Sequence, residues 1–394
     1  MLNDSIKMDN TLPAAEEALN FKLVNPPPEL NYLAAVCQMQ ETFQNTTPAN
    51  RFFSSKFSAL VSSERIRKAT SFLNCANSSL KHYNEALEEF QTNNYLNVFD
   101  GQSLCKKRVG DPIQLKGFDD LYKIDTILHA LPYDGATGVV LKSEGGTHGS
   151  FKIDKYVVCF RSAIETASFI KVGMSGMASG GHNWSKNAKA NRFLSELYLE
   201  YAPSIKKAIV TNWKPGSTIV FLGFSMGAAL AQLCMYDLLV NERLVCTASH
   251  LLLASPRIAN EAFYKDLAVS KTPTLITTYL TAVNYRGSIY MDPVPLLDCF
   301  EDPPQRFVLG DLRTSQEVWH TNILDATASY GSRFPVQVYK KTGRNYRCSP
   351  VSVFGSFVGS MLTGTAIDLH NLGYFNIAHY GDLGSNEDLI VASS

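Results

Sequence analysis

The chain has 394 residues, 45% of them hydrophobic, and 36 lysines and arginines balance 36 aspartates and glutamates. That length builds one large domain with a well-buried core, with or without a smaller addition, and the charge balance excludes electrostatic capture of nucleic acid or of a strongly anionic membrane. The eight cysteines include no C-x-x-C pair. Several lie in apolar runs, such as Cys159 after Val158 and Cys234 beside Met235, so buried free thiols are expected rather than a structural zinc; the even count leaves disulfides open.

In chain order, Met1 to Asn25 mixes Asp4, Lys7, Asp9, Glu16 and Glu17 with isolated apolar residues and has no apolar h-region, which points to a cytoplasmic or peripheral-membrane location. From Asn31 to Asn94, apolar residues such as Phe53, Phe57, Leu60, Val61, Leu73, Leu80 and Leu87 recur at three- and four-residue spacings, as in two or three helices. After Leu121 the pattern changes. Thr137–Leu141 and Tyr156–Phe160 read as strands joined through a turn at Gly145–Gly149. A helix is expected at Asn187–Asn212, a strand at Ser217–Leu222, a helix at Met226–Val240, a strand at Thr247–Ala254, a helix at Glu261–Ala268 and a strand at Thr274–Val283. Alternation at this spacing implies a mostly parallel central sheet flanked by helices. The expected organisation is an irregular segment 1–30, a helical extension 31–120 and an α/β domain 121–394. The uncharged stretch Ser349–Ile367 is too polar for a membrane span and reads as a buried helix or a segment touching a lid.

One junction carries chemistry. The strand Ile219–Leu222 runs into Gly223-Phe224-Ser225-Met226-Gly227, and Ala228–Leu233 continues as a strong helix former. Strand, sharp turn and helix are the context that makes G-x-S-x-G a nucleophile elbow. Glycines without Cβ let the turn thrust the Ser225 hydroxyl out at the strand's carboxyl end, where the helix N-terminus and the Met226 amide can stabilise negative charge. Asp292 follows the Thr274–Val283 strand and a loop, where such a sheet can present an acid to a histidine. Asp298, Glu301 and Asp302 compete for that role, but they sit in a proline-bounded polar loop and are expected to be solvated. In this chain order the histidine comes last, which leaves His320, His370 and His379.

From the Tyr156 strand to the Tyr374 region the sequence resembles the class 3 (fungal-type) lipases, members of the α/β-hydrolase superfamily. Four motifs occur in order: Val157-Val158-Cys159-Phe160-Arg161, the elbow with its Ala228-Ala229-Leu230-Ala231 continuation, Ala254-Ser255-Pro256-Arg257-Ile258-Ala259-Asn260, and Asp292-Pro293-Val294-Pro295. The resemblance implies an α/β-hydrolase fold and a lipid ester substrate met at a membrane or droplet surface. It implies Ser225, Asp292 and His370 as catalytic residues, with His370 favoured because His370–Phe375 resembles the family's catalytic histidine and the aromatic residues after it; His379 is the alternative. It implies oxyanion amides from Met226 and Ala163, and no cofactor or metal. Where the family has Gly followed by Ser or Thr after Phe-Arg, this chain has Ser162-Ala163, so Ala163 offers an amide without a hydroxyl. The elbow's usual histidine is Phe224. The Gly173–Gly181 stretch, rich in Gly, Met and Ser, suits either a mobile flap over an acyl site or a plain surface loop. Three functions remain open: hydrolysis of a lipid ester, acyl transfer to another alcohol by the same residues, and lipid binding by a catalytically weak relative.

Overall fold

A computed structural model of the protein describes residues 21–44, 108–129, 136–148, 151–162, 181–285, 288–292, 294–296, 300–311 and 337–341, and positions 370, 374 and 377. The helical expectation from 45 to 94, the Gly173–Gly180 part of the flap stretch, the 349–367 segment, Ala163, His320 and His379 lie outside these residues.

The strands are β1 (Phe21–Val24), β2 (Pro112–Gln114), β3 (Leu121–Leu128), β4 (Gly138–His148), β5 (Phe151–Phe160), the short pair β6 (His182–Asn183) and β7 (Lys189–Ala190), β8 (Thr218–Phe224), β9 (Thr247–Leu253), β10 (Thr277–Tyr285), β11 (Ser288–Met291), β12 (Gln305–Asp311) and β13 (Gln337–Lys341). Four α-helices are described: α1 (Leu33–Gln44), α2 (Arg192–Ile209), α3 (Met226–Tyr236) and α4 (Glu261–Ala268). Among the described residues eleven strands form one mixed sheet in the order β1-β13-β12-β10-β9-β8-β5-β4-β3-β2, with β11 paired to β10. Its centre, β5-β8-β9-β10-β12, is parallel. Its flanks are antiparallel.

The two-residue period of the central strands sends alternate side chains into two cores. Tyr156, Val158, Phe160, Ile219 and Phe221 pack with α2, α3 and α4 on one face. Val157, Cys159, Val220, Leu222 and Phe224 pack on the other with Val36, Met39 and Phe43 of α1 and with Tyr374 and Ile377. Helix α1 is thus part of the second layer over the sheet. Cys37, Cys159, Cys234 and Cys246 are free thiols, the first three buried.

Three elements differ from expectation for local reasons. Gly145 and Gly146 do not turn the chain: β4 runs on to His148, which pairs with Phe151, and the register shifts between Glu144 and Thr147. Glycine in a strand marks a bulge as readily as a turn. Helix α2 starts at Arg192 because Lys189–Ala190 pairs with β6 and the Asn191 side chain caps the helix by accepting from the Leu194 amide at 3.1 Å. The chain after β10 doubles back as β11, with Ala282 opposite Met291.

His250, on β9, is 8% exposed and accepts a hydrogen bond on Nε2 from the Thr277 amide at 3.0 Å. Burial pushes its pKa down to about 4 from 6.5. A histidine held neutral in the fold contributes stability that is complete above its unfolded pKa and drains away as pH falls from about 6.5 toward 4, by at most about 3 kcal/mol. Urea midpoints measured across that range should fall for the wild type and flatten in His250→Gln, which keeps an acceptor without a titrating proton.

Candidate active site

Ser225 stands between β8 and α3 with φ 57° and ψ −124°, a left-handed backbone that a non-glycine residue holds only when its surroundings enforce it. Here they do. The Ser225 amide donates to the Leu253 carbonyl at 2.8 Å, and the Ser225 carbonyl accepts the Ala228 amide at 3.0 Å to start the helix. A Cβ on Gly223 would lie 2.4 Å from the Gly227 carbonyl oxygen, and one on Gly227 would lie 2.3 Å from that of Phe160. The two glycines therefore let the first turn of α3 seat against its own strand and against the end of β5. Met226, at the first helical position, carries one of the amides that a helix N-terminus leaves without an intrahelical acceptor.

His370 reaches this serine across 145 residues: its Nε2 lies 3.0 Å from Ser225 Oγ. Its Nδ1 lies 3.0 and 2.9 Å from the two oxygens of Asp292. Donation from Nδ1 to a carboxylate leaves Nε2 as the acceptor facing the serine hydroxyl. All three side chains are buried, Ser225 at 1% exposure, Asp292 at 0% and His370 at 3%. The Phe224 ring stacks on the imidazole, centroids 5.0 Å apart and planes 26° apart. The elbow's aromatic departure is thus a platform for the histidine.

A buried carboxylate needs donors on every side. Asp292 follows β11, and its amide donates to the Thr281 carbonyl at 2.9 Å, fixing it beside the middle of β10. Besides His370 it accepts from the Val294 amide at 3.0 Å and from the Tyr374 hydroxyl at 2.7 Å. The Tyr374 oxygen in turn accepts the Thr281 amide at 3.1 Å. Burial, then the Asp292 charge and the hydrogen bond to it, raise the Tyr374 pKa well above the usual phenol value, which keeps Tyr374 a neutral donor. Sequence reasoning read Tyr374 only as part of the aromatic run after His370. The four-residue offset from the histidine was the available signal, since one helical turn brings two side chains to the same neighbour.

The competing acid Asp302 is not solvated. Its carboxylate is 6% exposed and pairs with Arg257 at 2.8 Å and Arg306 at 2.8 Å, while Arg306 also donates to the Pro295 carbonyl. The polar loop around it is therefore anchored inward. Residues 255–260 serve the scaffold: Ser255 accepts from Gln232 at 2.6 Å, and Asn260 accepts the Phe263 amide and so caps α4. On the oxyanion side, Ser162 is placed and Ala163 is not described. The Ser162 amide donates to Gln40 Oε1 at 2.8 Å, so it is already engaged. Among the described residues no cluster of three or more His, Cys, Asp or Glu side chains could hold a metal ion, and no helix is long and apolar enough to cross a membrane.

Residues 157–296 match the family model described as Lipase (class 3), which takes in Ser225 and Asp292 and stops before His370. Among solved structures the chain is similar to a Rhizomucor miehei lipase in a propeptide complex, at 16% identity and TM-score 0.43 over 76% of this chain and 82% of that one. A mutant form of a Penicillium cyclopium protein, MDLA, is similar at 16% identity and TM-score 0.40 over 61% and 83%. A mono- and diacylglycerol lipase from Aspergillus oryzae is similar at 15% identity and TM-score 0.35 over 49% and 66%. No curated protein matches the chain. At these identities none of the three bears on the substrate of this protein.

Tyr374→Phe removes one of the donors to buried Asp292 and takes the Tyr374 oxygen from the Thr281 amide. Urea unfolding should show a loss of about 1–3 kcal/mol.

Proposed function

We propose, for a chain whose residues 157–296 belong to the class 3 lipase family, that it is a serine hydrolase cleaving carboxylic esters of lipids through an acyl-enzyme. The observation that carries this reading is the unbroken line of hydrogen bonds from Ser225 Oγ through His370 to Asp292. A binding protein gains nothing from a strained serine aligned on a histidine.

In the first half-reaction His370 Nε2 takes the proton of Ser225 as Oγ bonds to the ester carbonyl carbon. The oxyanion that forms faces the helix N-terminus and the Met226 amide, with the amide of Ala163 as second donor. The tetrahedral adduct collapses, the alcohol leaves with the proton from His370, and the acyl group stays on Ser225. Water repeats the sequence: His370 takes its proton, hydroxide adds to the acyl carbon, and the fatty acid leaves as Ser225 recovers its hydrogen. Asp292 accepts from Nδ1 and holds the imidazole in the tautomer that accepts at Nε2. Acyl transfer to an alcohol uses the same steps with a different second nucleophile. Product analysis with and without an added acceptor alcohol separates the two.

Ser225→Ala should lose nearly all ester turnover, a drop on the order of a thousandfold or more, and a fluorophosphonate probe should label the wild type at Ser225 and leave the variant unlabelled. Normal ester hydrolysis by purified Ser225→Ala would overturn the reading. A panel of acylglycerol and phospholipid esters then assigns head group and chain length.

A further inference from the structure

The oxyanion side of the site, as proposed above, adjoins the backbone that leaves β5 at residues 160–162. That backbone is gripped on three sides. The Arg161 amide donates to the Thr137 carbonyl at 2.9 Å, from the direction of β4. The first turn of α3 presses on it from a second side, where Gly227 leaves no room for even a methyl group against the carbonyls of Phe160 and Arg161. On the third side, where an adjacent strand would supply hydrogen bonds, stands one side chain from α1. Gln40 Nε2 donates to the Phe160 carbonyl at 3.2 Å, and Gln40 Oε1 accepts the Ser162 amide at 2.8 Å. The side-chain amide bonds to these two residues as a paired strand's peptide would. Gln40 is 1% exposed, so neither bond is traded with water.

Two further contacts set where Gln40 itself stands. Gln38, two residues earlier, donates to the Gln114 carbonyl at 2.9 Å and accepts the Lys116 amide at 2.8 Å, which ties α1 to the loop after β2. The Cys37 sulfur lies 4.0 Å from the Tyr374 carbonyl oxygen, which ties the same helix to the segment that carries His370.

We infer that Gln40 is a positioning residue for the oxyanion side of the site, holding the backbone of residues 160–162 against which the first turn of α3, with its Met226 amide, is seated. The inference rests on the hydrolase reading but on different atoms, so the two can fail separately. Gln40→Met is close in size and makes neither bond. The test compares wild type, Gln40→Met and Ser225→Ala on a water-soluble ester, and measures binding of a trifluoromethyl ketone, whose carbonyl carbon bonds reversibly to the serine and whose oxygen becomes an oxyanion. Gln40→Met should lose about tenfold or more in kcat with KM within about twofold, since a displaced donor acts in the transition state and not in substrate binding. Ketone affinity should fall by the same factor, with the thermal midpoint changed by no more than a few degrees.

A folded Met variant with wild-type kcat and wild-type ketone affinity overturns the assignment. So does a loss confined to the thermal midpoint. In either case the hydrolase reading stands, because it falls only if Ser225→Ala still turns over. If Gln40→Met does not fold, Gln40→Glu carries the test: protonated, its carboxyl offers one donor and one acceptor as glutamine does, and ionised it offers none to Phe160. The ratio of its kcat to that of the wild type, taken at each pH, should rise from about pH 7 to about pH 5. A flat ratio overturns the assignment.

Discussion

The site depends on how closely a helix can begin against the end of a strand that is not its own. Strand β8 lies parallel to β5, with Gly223 opposite Phe160, so the helix that follows Ser225 must start directly over the last carbonyls of β5. Gly227 permits that approach and Gly223 permits the turn that leads into it. The strained backbone at Ser225 is the cost of bringing the serine, the first helical amides and the 160–162 backbone to one point. It is sustained by bonds to the neighbouring strand and to the helix it starts, not by the serine side chain.

Around that point, charge and polarity are completed from distant parts of the chain. Asp292 would be an expensive group at 0% exposure if left alone. It instead meets an imidazole, a phenol and a backbone amide. The phenol also accepts the Thr281 amide, so the same oxygen that steadies the acid bonds a group of β10. Geometry and stability are coupled here, since removing any member takes a hydrogen-bond partner from a buried neighbour.

Much of this was legible because its signals are local. The elbow announces itself through two glycines, a strand and a helix former within a few residues. The parallel centre follows from the alternation of strands and helices. What sequence reasoning missed depends on partners remote in the chain. A glutamine on an amphipathic helix looks like a surface residue, and nothing near position 40 tells that its amide meets a backbone 122 residues away. Asp302 among prolines looked solvated, although Arg306 stands four residues on, because its second arginine, Arg257, is 45 residues away. The β11 hairpin and the bulge at Gly145-Gly146 were hidden by the ambiguity of glycine, which serves turns and bulges alike.

Helix α1 and the strand β1 before it have a consequence for how this protein comes into being. β1 pairs with β13, and α1 holds the 160–162 backbone on one side and touches Tyr374 on the other. The earliest described residues therefore wait for the latest ones, and a ribosome-bound chain that ends before His370 has Ser225 without the imidazole that its hydroxyl meets in the full chain. A chain cut short after β12 would keep the nucleophile and Asp292 but lack His370.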